Sequence, residues 1–231
     1  MLNIQGLQKT TLLDFPGCVA ATVFMGGCNM RCPFCHNMNL VTTNDPPLFS
    51  GEDILKFLQT RQGILDGVCI TGGEPTLYPQ LPAFIAQIRQ LGFKIKLDTN
   101  GTNPQMLARL LSEGLVDYVA MDIKSSLSSY ARACGTDSIQ TKTIKESIDL
   151  LIGHDWKYEF RTTCVKELLD DDTVREIGDL LKGASAYYLQ GYVESAFVPD
   201  KTLHPVEKEK LLQYRQELLK SIRSVELRGI D

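Results

Sequence analysis

Three of the seven cysteines lie in one short segment, with a spacing typical of metal ligands. Cys28, Cys32 and Cys35 are separated by three and two residues, and two glycines precede them. Thiolate is a soft ligand that suits zinc or an iron-sulfur cluster. A structural zinc ion takes four closed protein ligands, but no further Cys or His pair follows at a suitable spacing, and His36 directly adjoins Cys35. We therefore favour a 4Fe-4S cluster in a loop over about residues 26–37, with one iron open to substrate.

The remaining polar candidates follow the ends of predicted strands. Gly72 and Gly73 expose backbone carbonyls, and Glu74 adds an anionic acceptor; these are the groups that an ammonium ion requires. Parallel sheets bind ligands at the loops after the carboxyl ends of their strands. We therefore expect these residues to contribute to one site.

Short apolar runs predict six buried strands, and segments with apolar residues at helical spacing lie between them. The strands are expected over residues 19–25, 68–71, 93–98, 117–123, 157–164 and 186–190, and a last helix over about 205–222. The alternation implies right-handed βαβ units and a parallel sheet. The predicted fold class is α/β, a partial (β/α)6 barrel that forms a single domain over residues 1–231. Residues 42–50 are expected to form a loop.

Two of these strands alternate apolar with polar side chains. Lys94, Lys96 and Asp98 alternate with apolar residues in one strand, and Glu159 and Arg161 do so in another. If the apolar side of each strand packs on outer helices, the charges point inward and suit a polar ligand. Pairing among these charges is the alternative explanation.

Composition limits the classes of function. A chain of 231 residues with 43% hydrophobic residues can bury a full core, and a formal charge of −4 gives no basic field for nucleic acid. Neither a signal peptide nor a membrane-spanning apolar run is evident. We expect a cytoplasmic protein with reduced thiols and with no nucleic-acid or membrane partner. The cysteines outside the cluster motif are expected to be small buried residues; they are Cys18, Cys69, Cys134 and Cys164.

The cysteine motif, with Phe34 before its last cysteine, resembles the signature of the radical S-adenosylmethionine superfamily. The resemblance implies that the open iron binds the methionine moiety and that reductive cleavage gives a 5′-deoxyadenosyl radical. It places Phe34 among the cofactor-binding residues and residues 72–74 at the methionine amino group. It also implies that Asp122 and Lys124 contact the ribose and carboxylate region and that Arg161 reaches the same ligand.

Two further assignments come from the same resemblance. Gln190 ends the sixth predicted strand, where some related activating enzymes carry a histidine facing the cofactor; an amide cannot titrate, so it would not transfer a proton. Asp98, Thr99 and Asp122 resemble the oxygen ligands of a monovalent cation beside the cofactor. The alternative for Asp98 is an ion pair with a nearby lysine.

Finer motifs resemble the activating enzymes of glycyl radical enzymes. They are Cys35-His36-Asn37, Asp98-Thr99-Asn100-Gly101 and Asp122-Ile123-Lys124. Residues 8–17, QKTTLLDFPG, point to the activating proteins of anaerobic ribonucleoside-triphosphate reductase. The resemblance implies hydrogen abstraction from a glycine of the reductase, with a flavodoxin or ferredoxin-type electron donor. The alternatives are activation of another glycyl radical enzyme, a small-molecule enzyme similar to 7-carboxy-7-deazaguanine synthase, or a non-enzymatic zinc or redox module.

Overall fold

Strands and helices alternate along the chain in the computed structural model, which describes residues 2–42 and 45–230. The strands are β1 (Ile4–Thr11), β2 (Ala20–Met25), β3 (Gly67–Gly72), β4 (Lys94–Thr99), β5 (Tyr118–Asp122), β6 (Tyr158–Cys164), β7 (Tyr187–Gly191) and β8 (Val225–Arg228). The helices are α1 (Met38–Thr42), α2 (Gly51–Gln59), α3 (Leu81–Gln90), α4 (Pro104–Ser112), α5 (Tyr130–Cys134), α6 (Thr141–Ile152), α7 (Asp171–Leu180) and α8 (Lys208–Leu218). Residues 43 and 44 of the predicted loop over 42–50 lie outside the described residues.

The described strands form one sheet in the order β1 to β8, so that β1 and β8 are its edges. β1 runs antiparallel to β2. The pairs β2 with β3, β3 with β4, β6 with β7 and β7 with β8 are parallel. The six predicted strands correspond to β2–β7. The α/β class and the open, mostly parallel sheet of a partial barrel are therefore confirmed.

Both edge strands are absent from the sequence prediction. The register of β1 with β2 shifts twice, between Ile4 and Gly6 and again between Gln8 and Thr11, so its apolar residues do not alternate regularly. β8 has only four residues, of which Val225 alone is fully buried. Because short or irregular edge strands bury little apolar surface, they leave a weak periodic signal.

The last helix is shorter than the predicted range of 205–222, since α8 begins at Lys208 and ends at Leu218. Pro205 instead forms an isolated β-bridge with Val165. Beyond the helix, Ile222 is only 2% exposed. The predicted helix was too long at this end because Ile222 is apolar and buried, although its backbone is not helical.

The chain divides into two compact units. One comprises the residues up to Asn29, 39–99 and 103–120, and the other comprises residues 30–38, 100–102 and those from Met121 onward. The first unit buries apolar residues from β3, β4, α2 and α3, such as Ile54, Ile70 and Ile85. The second buries residues of β6, α6 and α7, such as Ile148 and Phe160. A single domain over 1–231 stays a prediction.

Candidate active site

Close backbone contacts that only glycine permits fix the chain around the first cysteine. Gly27 has a φ of +74° and donates its N–H to the carbonyl of Leu40 at 2.8 Å. The carbonyl of Gly27 accepts from the N–H of Glu74 at 2.9 Å. A Cβ on Gly73 would lie only 1.9 Å from that carbonyl oxygen. The turn at Gly73 therefore positions the backbone that leads into Cys28.

Glu74 is fully buried, and its carboxylate is engaged within the protein. Its Oε1 accepts from the N–H of Thr76 at 3.0 Å, from the Thr76 hydroxyl at 2.5 Å and from the Thr99 hydroxyl at 2.8 Å. This carboxylate caps the turn that follows Gly72 and Gly73 and joins it to the end of β4. Contact of residues 72–74 with a methionine ammonium stays a prediction.

At the end of β4, Asp98 forms an ion pair with Lys96. The Lys96 side chain is almost fully buried, and its Nζ also lies 3.9 Å from the Sγ of Cys69. The structure thus contains the lysine pair that was the alternative explanation for Asp98. A monovalent cation held by Asp98, Thr99 and Asp122 stays a prediction, and Asp122 belongs to the other compact unit.

In the second unit, the segment with the remaining two cysteines is held by a turn at the end of α5. The N–H of Arg31 donates to the carbonyl of Cys134 at 2.8 Å. Gly135 has a φ of +66°, and a Cβ there would lie 2.0 Å from the carbonyl oxygen of Arg31. The N–H of Cys35 donates to the carbonyl of Cys32 at 3.1 Å, which closes a tight loop between the two thiols.

Asp122 lies between two cations in this second unit. Its Oδ1 is 2.9 Å from Nε of Arg161, and its Oδ2 is 3.1 Å from Nζ of Lys124. The same Nζ lies 5.9 Å from the centroid of the Phe34 ring. Four of the predicted cofactor-binding residues, Phe34, Asp122, Lys124 and Arg161, are therefore brought together.

The charges of this cluster of residues stabilise one another. Burial opposes ionisation of Asp122, but Arg161 and Lys124 outweigh it and lower the pKa of Asp122 to about 2. Burial also opposes the charge of Lys124, yet Asp122 and the Cys32 thiol raise its pKa above the ordinary value. Lys124 is therefore a permanent cation near Cys32, where it favours the thiolate that metal binding requires.

The side chain of Gln190 forms no hydrogen bond to any described residue, so it is not linked to this group of residues. It is half-buried at the end of β7, in register with Thr163 on one side and Arg228 on the other. A role of Gln190 in binding the cofactor stays a prediction.

Other residues near these elements escaped the sequence prediction. Arg228 forms two hydrogen bonds to the buried carboxylate of Glu159, at 2.8 and 3.0 Å, and its guanidinium lies 3.7 Å from the centroid of the Tyr188 ring. The alternation in β6 indicated that Glu159 points inward, but its partner lies on a strand without a clear pattern. Tyr192 packs against His36 at 5.9 Å between ring centroids. Tyr192 belongs to no motif, so no sequence signal indicated that contact.

Three of the four cysteines outside the motif are fully buried, as predicted: Cys69, Cys134 and Cys164. The prediction was wrong for Cys18, which is partly exposed because it lies in the connection between β1 and β2 and not in a buried strand. Burial raises the pKa of the Cys164 thiol to about 12, so it does not ionise near neutral pH. Cys134 has a structural use, since its carbonyl supports Arg31.

The residues of the cysteine segment fit a 4Fe-4S cluster. None of the described cysteines forms a disulfide, and Cys28, Cys32 and Cys35 supply the soft donors that such a cluster takes. Gly73 packs closely on the carbonyl of Gly27, next to Cys28, and Gly135 packs closely on the carbonyl of Arg31, next to Cys32. Within residues 2–42 and 45–230, no group of three or more His, Cys, Asp or Glu could hold a single metal ion. A 4Fe-4S cluster does not need three ligands around a single metal ion, because each thiolate binds a different iron.

Comparison with known families decides which chemistry these thiols serve. Residues 22–181 match the sequence profile of the radical SAM superfamily. The chain belongs to this superfamily. It is therefore an enzyme that uses a 4Fe-4S cluster and S-adenosylmethionine, as predicted, and the zinc or redox module is excluded.

Several curated radical SAM proteins are similar to this one. A candidate glycyl-radical enzyme activating enzyme of Methanocaldococcus jannaschii is 30% identical, and the similarity spans 99% of this chain and 96% of the relative. The pyruvate formate-lyase-activating enzyme of Clostridium pasteurianum is 30% identical over 54% of this chain and 53% of its own. The 7-carboxy-7-deazaguanine synthase of Neisseria meningitidis is 27% identical over 71% of this chain and 76% of its own.

Solved structures share the fold of this radical SAM protein. TYW1 with a lysine-pyruvate adduct has a TM-score of 0.62 and 17% identity, covering 87% of this chain and 73% of that one. A domain of a pyruvate-formate lyase-activating enzyme from Bacteroides vulgatus has a TM-score of 0.56 and 17% identity, covering 69% of this chain and 98% of that one.

Within the described residues, no helix has both the length and the apolar character needed to cross a membrane.

Proposed function

We propose that this radical SAM enzyme generates a glycyl radical on a partner enzyme. One electron delivered to the cluster cleaves S-adenosylmethionine into methionine and a 5′-deoxyadenosyl radical. That radical takes a hydrogen atom from the α-carbon of a glycine, which leaves 5′-deoxyadenosine and a glycyl radical. The observation that carries the proposal is the similarity over nearly the whole chain to the candidate activating enzyme of M. jannaschii.

The residues of this chain have separate tasks in the proposal. Cys28, Cys32 and Cys35 hold the cluster, and the backbone of residues 72–74 accepts hydrogen bonds from the methionine ammonium. In the second unit, the Asp122 carboxylate binds the ribose hydroxyls and the cations around it attract the methionine carboxylate. An ionised Asp122 suits this task because an acceptor is needed for hydroxyl donors.

A protein partner is supported by the segment that follows β7. Val193 and Phe197 are 61% and 60% exposed within one short segment, and grouped exposed apolar side chains are typical of protein interaction sites. The same segment contacts the cysteine loop, because the N–H of Asp200 donates to the carbonyl of Pro33 at 3.1 Å. We propose that residues 192–200 dock the glycine-containing loop of the partner.

The proposed partner is an anaerobic ribonucleoside-triphosphate reductase, with a flavodoxin or ferredoxin-type protein as electron donor. Residues 8–17 support this choice by their resemblance to the activating proteins of that reductase. Part of this segment is β1, and Leu12 and Leu13 are 72% and 91% exposed after it. Exposed leucines in a segment with a recognisable motif are consistent with a contact to another protein.

Anaerobic mixing with the candidate reductase of the same organism tests the proposal. Electron paramagnetic resonance should show a glycyl doublet that depends on S-adenosylmethionine and a reductant. The Cys32→Ala variant, which lacks one cluster ligand, should give none. A doublet that appears only with another glycyl radical enzyme would reassign the partner and leave the chemistry in place.

The second candidate function is synthesis of a small molecule. The similarity to 7-carboxy-7-deazaguanine synthase over 71% of the chain favours it among the alternatives. In that case 5′-deoxyadenosine would form rapidly with a purified small-molecule substrate and without any protein partner. No glycyl doublet would appear with any glycyl radical enzyme, and the activase proposal would be wrong.

A further inference from the structure

A small polar cleft in the second unit has no task in the proposed chemistry. Its volume is about 100 Å³, so it can hold more than one water molecule. It lies beside α5 and ahead of α7, and its lining includes Ser125, Arg132, Lys166, Glu167 and Asp170. All of these residues belong to the unit that contains Asp122.

One wall of this cleft carries a polar group that the protein leaves unsatisfied. The residue Ser125 is 1% exposed, and its hydroxyl forms no hydrogen bond with any described residue. Buried hydroxyl groups without a partner are unfavourable, and native proteins therefore pair nearly all of them. A group bound in the cleft would complete the hydrogen bonding of Ser125.

The charges around the cleft favour an anion. Within the described residues, neither the Arg132 guanidinium nor the Lys166 ammonium forms an ion pair. Both carboxylates of the lining are already engaged. Glu167 accepts from the N–H of His204 at 3.0 Å and contacts Nδ1 of that histidine at 2.8 Å, and Asp170 accepts from the N–H of Thr173 at 2.8 Å as the cap of α7.

We propose that this cleft binds a single oxyanion group, either a phosphate or a carboxylate. Arg132 presents paired N–H donors that match the oxygens of both groups, Lys166 adds a second positive charge, and Ser125 donates its hydroxyl hydrogen. The cleft has room for one such group, and the rest of a bigger molecule would extend outside.

The position of the cleft connects this oxyanion to the cluster loop. Arg132 belongs to α5, and Cys134 and Gly135, two and three residues further along the chain, contact Arg31. An anion bound by Arg132 would therefore order the turn that supports the segment with Cys32 and Cys35. Binding of the anion would therefore change how rigidly the segment with Cys32 and Cys35 is held.

Calorimetric titration of the cluster-loaded enzyme tests the proposal. Saturating S-adenosylmethionine fills the cofactor site first, so that Lys124 and Arg161 do not take up the probe. Inorganic phosphate and acetate are then titrated separately at constant ionic strength. Saturable binding of phosphate identifies a phosphate site, and saturable binding of acetate alone identifies a carboxylate site. Absence of saturable binding for both probes overturns the proposal.

Variants assign the binding to the cleft. Arg132→Gln should weaken the affinity about tenfold or more, since it removes a charged donor pair. Ser125→Ala should weaken it by a smaller factor, and this variant is expected to fold because the hydroxyl that it removes has no partner. Arg223→Gln changes an exposed arginine outside the cleft and should bind as the wild type does. Equal affinity in the wild type and in Arg132→Gln would show that the anion binds elsewhere and would overturn the proposal.

Discussion

Asp122 accepts from two cations at once, and this arrangement determines how the residue responds to substitution and to pH. A neutral amide at this position would leave Arg161 and Lys124 without their shared counter-ion. The pKa of the Asp122 carboxyl is about 2, below the ordinary value of 3.8. A carboxyl with a lowered pKa stabilises the folded state above its ordinary pKa, and that stabilisation is lost as the pH falls toward the folded value.

We expect Asp122→Asn to remove a pH-dependent part of the stability. The difference in free energy of unfolding between wild type and variant should be about 1–2 kcal/mol near neutral pH and should shrink between about pH 5 and pH 2. Urea denaturation of the cluster-free chain at several pH values measures it. The control is Asp149→Asn, which changes an exposed carboxylate paired with Lys145. A difference that stays constant with pH would contradict the role of the carboxylate charge.

Gly73 gives a second prediction for a single residue. Gly73→Ala should disturb the backbone at Gly27, because the new Cβ would lie 1.9 Å from its carbonyl oxygen. We expect lower iron content after reconstitution and little 5′-deoxyadenosine formation. Gly178→Ala is the matched control, since its Cβ would lie 3.6 Å from the nearest side-chain atom and alanine favours the helix by about 0.5–1 kcal/mol. Normal iron content in the Gly73 variant would refute the proposed positioning.

β8 is short and lies at the edge of the sheet, yet it contributes an ion pair that reaches back to β6. Arg228 on β8 binds the carboxylate of Glu159 with both terminal nitrogens, and Tyr188 of the intervening β7 lies under its guanidinium. The carboxylate of Glu159 is 1% exposed. Arg228 therefore compensates a buried charge on β6 from the edge strand, and this pair joins the last three strands.

Arg228→Gln should destabilise the protein by about 2–4 kcal/mol, because it removes a bidentate cationic partner of the buried Glu159 carboxylate. The double variant Glu159→Gln with Arg228→Gln should recover most of that loss, since two neutral amides can hydrogen-bond to each other. Urea denaturation midpoints at a constant m value give the comparison. If the double variant were as unstable as the single one, packing rather than charge would explain the effect.

For the whole molecule, the sequence predicts those features that depend on local patterns of residues. The strands β2–β7 follow from apolar runs, and the radical SAM family follows from the spacing of Cys28, Cys32 and Cys35. Contacts between distant residues leave no such pattern. The partners of Glu74 are Thr76 and Thr99, and the sequence alone does not indicate that their hydroxyls meet its carboxylate. Edge strands and helix ends likewise depend on tertiary contacts.

The proposed docking of a partner through residues 192–200 can be separated from the chemistry. Replacing Val193 and Phe197 together by alanine should lower the glycyl radical yield several-fold, because two exposed apolar contacts are removed. Formation of 5′-deoxyadenosine without the partner should not change. Leu212→Ala removes an apolar side chain that is 45% exposed on α8 and serves as the control. Equal radical yields for the double variant and the wild type would place the docking surface elsewhere.

Because the thiols are buried to different extents, their reactivity can report what fraction of the protein carries the cluster. Cys69, Cys134 and Cys164 are fully buried, and Cys18 is partly exposed. In native protein with an intact cluster, an alkylating reagent should therefore modify only Cys18 at an appreciable rate, because the motif thiols are occupied by iron. Chelation of the iron should add Cys28 and Cys35, with Cys32 reacting more slowly. Mass spectrometry of intact labelled chains would then report what fraction of a preparation is competent before any assay is run.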